Sequence, residues 1–303
     1  MIKTLSNTSC FKKLGNELNS LVHAYLIYSN DKLLNNYIAE LFAMKIFCEH
    51  SAPCFECEAC KKSLVHKNPD LIIVEKDSIN VDDVKQLIET SQLKPMIYKY
   101  KIILIKNAET ISEIAQNKLL KSLEEANSSL IFILTTSDET KILATVKSRL
   151  KKLYLTFDEV QTISQELLEQ GVNKDFLTNN YTLTEIVENS QNNEYLSCVE
   201  NLNSVFNRLK TTQDIAQAVN DLKLNSHNKV IYIKLLLKLF SNSSIFNKEL
   251  LLKIEEDYPL VLRIKIQRLI EDSYRKIMAN VNANYVFDNL FYNILKEKYL
   301  CKQ

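Results

Sequence analysis

Four short runs of uninterrupted apolar residues constrain this chain more than any other feature of it: Ala24–Tyr28, Leu71–Val74, 102–105 and 130–134. None alternates apolar with polar. A strand without a polar face is covered on both sides, and that condition is met in parallel sheets flanked by helices. Helix-period segments lie between the runs, as such a fold requires. One is expected at 31–47, with Leu34, Ile38, Leu41 and Phe42 on its inner face. Another carries Val81, Val84, Leu87 and Ile88, with Asn80 as N-cap and Asp82 and Asp83 in the first turn. A third, at 112–125, is expected to bury Ile114, Leu119, Leu120 and Leu123. A short helix at 139–147 and a last strand at 152–155 follow. Beyond Thr156 the periodicity is helical almost throughout, with segments near 157–170, 181–190, 193–209, 212–222, 229–241, 247–256, 261–279 and 285–299. The predicted class is therefore α/β followed by all-α. The stripe Ile231, Leu235, Leu236, Lys238, Leu239, Phe240 reads as helical core, as do Ile264, Ile266, Ile270, Tyr274 and Ile277.

Charge narrows the function. Among 303 residues, 38 Lys+Arg nearly balance 37 Asp+Glu, which excludes a polybasic nucleic-acid binder. No apolar run approaches the roughly 20 residues that span a bilayer. The N-terminal MIKTLSNTSCFKKLGNEL mixes charges into its apolar positions, unlike a signal peptide. The expected location is the cytoplasm.

Glycine is scarce. Average usage of about 7% predicts roughly 21 in a chain this long; this one has 2, Gly15 and Gly171. A loop that cradles phosphate with backbone N–H groups has the form G-x-x-x-x-G-K-[ST]. Here the first strand runs into Ser29-Asn30-Asp31-Lys32-Leu33-Leu34, with no glycine and with a carboxylate where phosphate would sit. The strand at 102–105 would end in metal-holding acids in a nucleotide hydrolase. It is followed by Lys106-Asn107-Ala108-Glu109, in which Lys106 cannot ligate a cation and Glu109 reads as a solvated carboxylate at a helix start. ATP is not expected to bind in cis. Nor does the sequence supply the paired carboxylates of a polymerase site.

Cysteine is concentrated. Cys48-x5-Cys54-x2-Cys57-x2-Cys60 gathers 4 of the 7 cysteines. Dense thiols in a cytosolic protein are seldom disulfides, and four thiolates make a closed tetrahedral zinc site of structural type. A redox dithiol and an iron–sulfur cluster use the same ligands. His50 or His66 could replace one thiol. Cys10, Cys198 and Cys301 are isolated and read as packing or exposed thiols.

The order of these features resembles the family of delta-prime subunits of the bacterial DNA polymerase III clamp loader. The resemblance rests on His23-Ala24-Tyr25-Leu26, the four cysteines, Asn68-Pro69-Asp70-Leu71 and Val81-Asp82-Asp83-Val84-Lys85. It continues through Lys101-Ile102-Ile103-Leu104-Ile105, Ala108-Glu109, Ala115-Gln116-Asn117-Lys118-Leu119-Leu120-Lys121-Ser122-Leu123-Glu124-Glu125, Phe132-Ile133-Leu134-Thr135-Thr136 and Ser148-Arg149. Each piece is weak alone; their order and spacing over about 130 residues are specific.

The resemblance implies a RecA-like AAA+ domain over 1–156 with its zinc module at 48–60. A small helical lid-like domain over 157–200 and a helical collar over 201–303 would follow. It implies a hetero-pentamer with motor (tau/gamma type) and delta subunits, which loads the sliding clamp onto primed DNA. Any link to DNA-directed DNA polymerase (nucleotidyltransferase) activity would come only through the holoenzyme. It also implies one chemical role. In the family's Ser-Arg-Cys motif the arginine reaches a neighbour's ATP, and here the motif reads Ser148-Arg149-Leu150. Without the family, Arg149 is a surface charge beside Lys147, Lys151 and Lys152; the cluster could instead touch DNA phosphate, but it lacks the interleaved aromatics used for base stacking. Two other readings of the chain stand beside this one: an ATP-binding motor subunit of the same complex, and a zinc-dependent nucleic-acid-binding module. Thr135 and Thr136, at a sensor-like strand end, are assigned no ligand.

Overall fold

A computed structural model describes every residue except 16–19, 51, 125–127, 157–159, 173–175, 178–180, 242–244 and 301–303. Glu125, Cys301 and the start of the helix expected at 157–170 lie outside the described residues. The chain divides into two compact units, Met1–Gln170 with Thr182–Thr184, and Gly171–Tyr181 with Glu185–Gln303.

The first unit begins with two short helices, α1 (Ile2–Leu5) and α2 (Ser9–Lys13). The order then runs β1 (Ala24–Tyr28), α3 (Lys32–Phe47), α4 (Glu58–Leu64), β2 (Leu71–Val74), α5 (Val81–Ser91), β3 (Lys101–Ile105), α6 (Glu113–Glu124), β4 (Leu130–Thr136), α7 (Ala144–Lys147), β5 (Lys151–Tyr154) and α8 (Val160–Glu169). The strands form one sheet, ordered β2-β3-β4-β1-β5, and every pairing is parallel. β3 and β4 are buried along their whole length, as their unbroken apolar runs require. β5 alternates half-buried with exposed positions and pairs with β1 alone, so it is an edge where Lys151 and Lys152 are tolerated. It starts one residue earlier than expected.

Caps place the helices. Asn80 accepts from the N–H groups of Asp82 and Asp83 while Asp83 accepts from the Asn80 N–H, a reciprocal box that fixes the start of α5. Asp70, fully buried, accepts from Met96, Ile97 and Tyr98 N–H at 2.6–2.8 Å and so folds the loop ahead of β3. α6 departs from expectation at Ile114, which is 68% exposed. Its inner stripe is Ala115, Leu119 and Leu123; Ile114 sits a further 100° round the helix, beyond the edge of the stripe. Gln116 is buried instead. Its amide donates to Ile111 O (3.1 Å) and Lys141 O (3.0 Å), and its carbonyl accepts from Leu143 N–H (2.8 Å), which pins the approach to α7.

The second unit is helical: α9 (Leu183–Asn189, whose first residues belong to the first unit), α10 (Asn193–Arg208), α11 (Ile215–Asp221), α12 (Asn228–Phe240), α13 (Lys248–Asp257), α14 (Leu260–Met278) and α15 (Ala283–Leu300). Its core is aromatic. Phe206 meets Phe240 and Phe291 edge-on, and Phe240 meets Tyr258 at 90°. α14 buries Ile266, Ile270 and Ile277, but Ile264 is 45% exposed, off that stripe. Among the described residues no helix is long and apolar enough to cross a membrane.

Phe132 sits fully buried in β4, at the middle of the sheet. Truncation to alanine leaves a ring-sized void, so Phe132→Ala should cost about 3–5 kcal/mol in denaturant unfolding. A loss below about 1 kcal/mol would mean the sheet is not packed on both faces here.

Candidate functional site

In a parallel sheet the C-terminal strand ends lie along one edge, where ligands of such folds bind. β1, β4 and β3 are neighbours, and their ends bring Ser29 to Asp31, Thr135 to Thr136 and Lys106 to Asn107 to that edge. The N-terminus of α3 opens immediately after β1, the position at which helix N–H groups and dipole favour an anion. An anion is already there: the Asp31 side chain. It accepts from Leu34 N–H (3.1 Å), from Thr184 N–H (3.2 Å) and hydroxyl (2.7 Å), and from Leu183 N–H. Leu33 N–H in turn donates to the Thr184 hydroxyl (2.9 Å). Asp31 is 3% exposed, and the segment Thr182–Thr184 belongs to the same compact unit. Beneath it Asn35 donates to Ser29 O (3.1 Å) and Thr136 O (2.8 Å), and Ser29 donates to the Asn35 side-chain carbonyl (2.6 Å).

The end of β3 is closed in the same way. Lys106 bonds Glu40 (2.7 Å) on α3 and Glu75 (2.8 Å) after β2. Burial opposes its charge, but the two carboxylates outweigh burial and hold the ammonium above the ordinary lysine range. Next to it Asn107 adopts a left-handed backbone (φ 54°, ψ 55°), which asparagine tolerates better than most residues. Asn36 donates to the Asn107 carbonyl (3.2 Å), the Thr135 hydroxyl donates to the Asn36 carbonyl (2.6 Å), and Asn107 N–H donates back to Thr135 (2.9 Å). Glu109 is not the solvated carboxylate expected from sequence. One oxygen accepts from the Ser137 hydroxyl (2.7 Å) and the other is buried without a hydrogen bond. The edge thus contains ion pairs and amide bonds in which each charge has an internal partner.

The cysteines converge elsewhere in this unit. One ligand atom each of Cys48, His50, Cys54 and Cys57 lie within 4.8 Å of one another, a group able to hold a metal ion. Cys60 is buried, with its Sγ 3.9 Å from that of Cys54, so five donors meet where four suffice. Backbone N–H groups point at the sulfurs: His50 at Cys48 (3.4 Å), Cys57 at Cys54 (3.2 Å) and Cys60 at Cys57 (3.4 Å). Such bonds favour thiolate. The Cys57 and then the Glu56 N–H hold the Cys54 thiol down to about 6, whereas burial pushes Cys48 and Cys60 up. Soft, convergent sulfur donors fit a zinc-type ion.

Arg149 follows α7 at the surface. Its Nε donates to Glu124 (2.7 Å) and its Nη2 pairs with the same carboxylate oxygen. Its Nη1 donates to Thr145 O (2.7 Å) and to the Ser148 hydroxyl (3.2 Å). The neighbouring Lys147 and Lys152 bond the Glu139 backbone and carboxylate respectively.

Residues 7–159, just over half of the chain, match the family described as "DNA polymerase III, delta subunit". The chain belongs to that family. It is 31% identical over 134 residues to the DNA polymerase III subunit delta' of Pseudomonas aeruginosa, covering 42% of this chain and 41% of that one. With the delta' subunit of Bacillus subtilis it shares 30% identity over 189 residues, 59% of this chain and 57% of the other. With the tau/gamma subunit of Haemophilus influenzae it shares 37% over 154 residues, 49% and 22%. The chain therefore spans less than two thirds of each of these relatives. A DNA polymerase III gamma subunit-related protein from Thermotoga maritima has a similar fold at 13% identity, with a TM-score of 0.51 over 96% of this chain and all of that one.

For a member of the delta family, the features visible in sequence and those hidden from it divide by distance along the chain. Asp31 and Lys106 could be read from local pattern. Thr184, 153 residues from Asp31, and Glu40, which pairs with Lys106, could not. Of the two histidines that sequence offers as replacements for a thiol, His50 joins the group, whereas His66 lies 3.3 Å from Glu40. Two outcomes follow. Asp31→Ala would strand buried N–H donors and should lower unfolding free energy by about 3 kcal/mol; Asp31→Asn, which keeps an acceptor oxygen, should lose less. A neutral Asp31→Ala variant would show that the carboxylate does not hold this edge. For the thiols, purified protein should retain about one equivalent of zinc, lose it on acidification because ligating thiolates take up protons, and melt at lower temperature after chelation. Metal-free protein with an unchanged melting temperature would defeat the assignment.

Proposed function

We propose that this chain is the non-ATP-binding structural subunit of the bacterial replicative clamp loader. In this role it helps load the sliding clamp onto primed DNA and donates Arg149 in trans to the ATP site of a neighbouring motor subunit. The observation that carries the reading is the Asp31 carboxylate, buried where a nucleotide phosphate would need to sit. Placing phosphate there would set two anions against each other at a helix start whose Leu33 and Leu34 N–H groups are already bonded. Lys106, paired with Glu40 and Glu75, sets an ammonium at the strand end where magnesium would need acids. So paired, Glu40 and Glu75 do not supply nucleotidyltransferase chemistry either. The 37% identity to a tau/gamma subunit favours a motor reading; the occupied edge opposes it.

Ser148 and Arg149 lie at the surface of the unit, with Arg149 partly exposed. A guanidinium placed against a transferring phosphoryl group offsets its developing charge, and a trans arginine is worth about 10³–10⁵ in rate at its own site in other systems. The proposed partners are motor (tau/gamma type) and delta subunits in a hetero-pentamer in the cytoplasm. A structural zinc held by Cys48, Cys54, Cys57 and Cys60, with His50 beside them, would tie down the loop ahead of α4 without an open coordination position. We further propose a RecA-like domain over 1–156, a lid-like domain over 157–200 and a collar over 201–303.

Calorimetric titration of the isolated protein with ATP and magnesium should give no heat of binding, and micromolar affinity would overturn the reading. Arg149→Ala should assemble normally with tau/gamma and delta subunits yet lower the ATPase rate of the reconstituted complex. Unchanged ATPase and clamp loading would remove Arg149 from the mechanism.

A further inference from the structure

A guanidinium presents two edges able to grip a pair of oxygens, and how Arg149 uses them is informative. The Nη1 end is held locally by Thr145 O and the Ser148 hydroxyl. Thr145 lies in the four-residue α7, where carbonyls lack helical partners, so this end of the arginine also caps the helix. The Nε–Nη2 edge is wholly taken up by Glu124. A phosphoryl group approaching from a neighbouring subunit could not engage that edge until Glu124 left it.

Glu124 is poorly placed for its own helix. It is the last described residue of α6, toward the helix C-terminus, where the dipole disfavours a carboxylate. Lys121 in the same turn eases that cost, but the carboxylate is bonded to Arg149. Lys147 and Lys152, on the same surface, are bonded to Glu139. Gln116, in the first turn of α6, bonds the chain on either side of Ile142, so the start of α6 is anchored to the approach to α7.

We propose that Glu124 is the positioning residue of Arg149, a latch that holds the Nε–Nη2 edge in cis until a neighbour's phosphoryl group displaces it. This rests on the reading of Arg149 as a trans-acting arginine. The latch is soft. Both side chains are partly exposed, at 32% and 48%, and pairs of this kind are weak. A phosphoryl group offers more negative charge and several acceptor oxygens, so it can take the edge when it is presented. Through the exchange the Nη1 bonds remain, and the arm keeps its direction. Glu124 thus keeps the arginine quiet in an incompletely closed assembly and oriented in a closed one.

The test measures the ATPase of the reconstituted complex, without clamp or DNA, carrying wild type, Glu124→Ala, Glu124→Gln, Arg149→Ala or the double variant Glu124→Ala/Arg149→Ala. Far-ultraviolet circular dichroism checks that each is folded. Releasing a partly exposed pair should raise the resting rate roughly two- to fivefold for Glu124→Ala. The rise should be smaller for Glu124→Gln, which keeps an acceptor but not the charge. The double variant should match Arg149→Ala alone, because the latch acts only through the arginine. A resting rate in Glu124→Ala at or below wild type overturns the latch. A double variant that differs from Arg149→Ala as Glu124→Ala differs from wild type also overturns it. If Arg149→Ala itself leaves the rate untouched, the trans-arginine reading falls first and the latch falls with it.

Discussion

A parallel sheet with no wet face is the constraint on which the first unit depends. Its central strands, β1, β3 and β4, carry apolar side chains on both sides, so helices must cover both. Polar groups can then collect only where the strands end. Because every pairing is parallel, those ends share one edge, and Ser29, Asp31, Lys106, Asn107, Thr135 and Thr136 meet there without any of them being near another in sequence beyond its own strand.

What fills that edge follows from the cost of burying charge. An isolated carboxylate or ammonium in a low-dielectric setting is expensive and must be paired or hydrogen-bonded. Asp31 is satisfied by helix N–H groups and the Thr184 hydroxyl, and Lys106 by two carboxylates. Neutral amides complete the rest. A site that binds a ligand leaves donors or acceptors for it; here Asp31, Lys106 and the amides around them are bonded to their own neighbours. The same economy is relaxed at the surface, where Arg149 and Glu124 are partly solvated and their pairing is exchangeable.

Much of this was legible in sequence because the relevant signals are local. Strand runs, the Asn80 cap, the missing glycines, Asp31 after β1, Lys106 after β3 and the cysteine spacing each lie within a few residues. The errors were also local in origin. Ile114 and Ile264 are apolar, which favours a core reading, but each lies off the buried stripe of its own helix and faces solvent. A helix start is commonly exposed, which favours a solvated Glu109, whereas the hydroxyl of Ser137, just after β4, donates to it.

By itself, then, the sequence determined the class of fold, the absence of a phosphate-cradling loop, the thiol cluster and the presence of an arginine after α7. These depend on periodicity, on residue chemistry and on short spacings, which one dimension records in full. Only the tertiary structure decided the partners: Thr184 for Asp31, Glu40 and Glu75 for Lys106, and Glu124 for Arg149. Hydrogen bonds and ion pairs form between groups a few ångströms apart, and it is the order of the strands and the packing of the helices that brings such groups together.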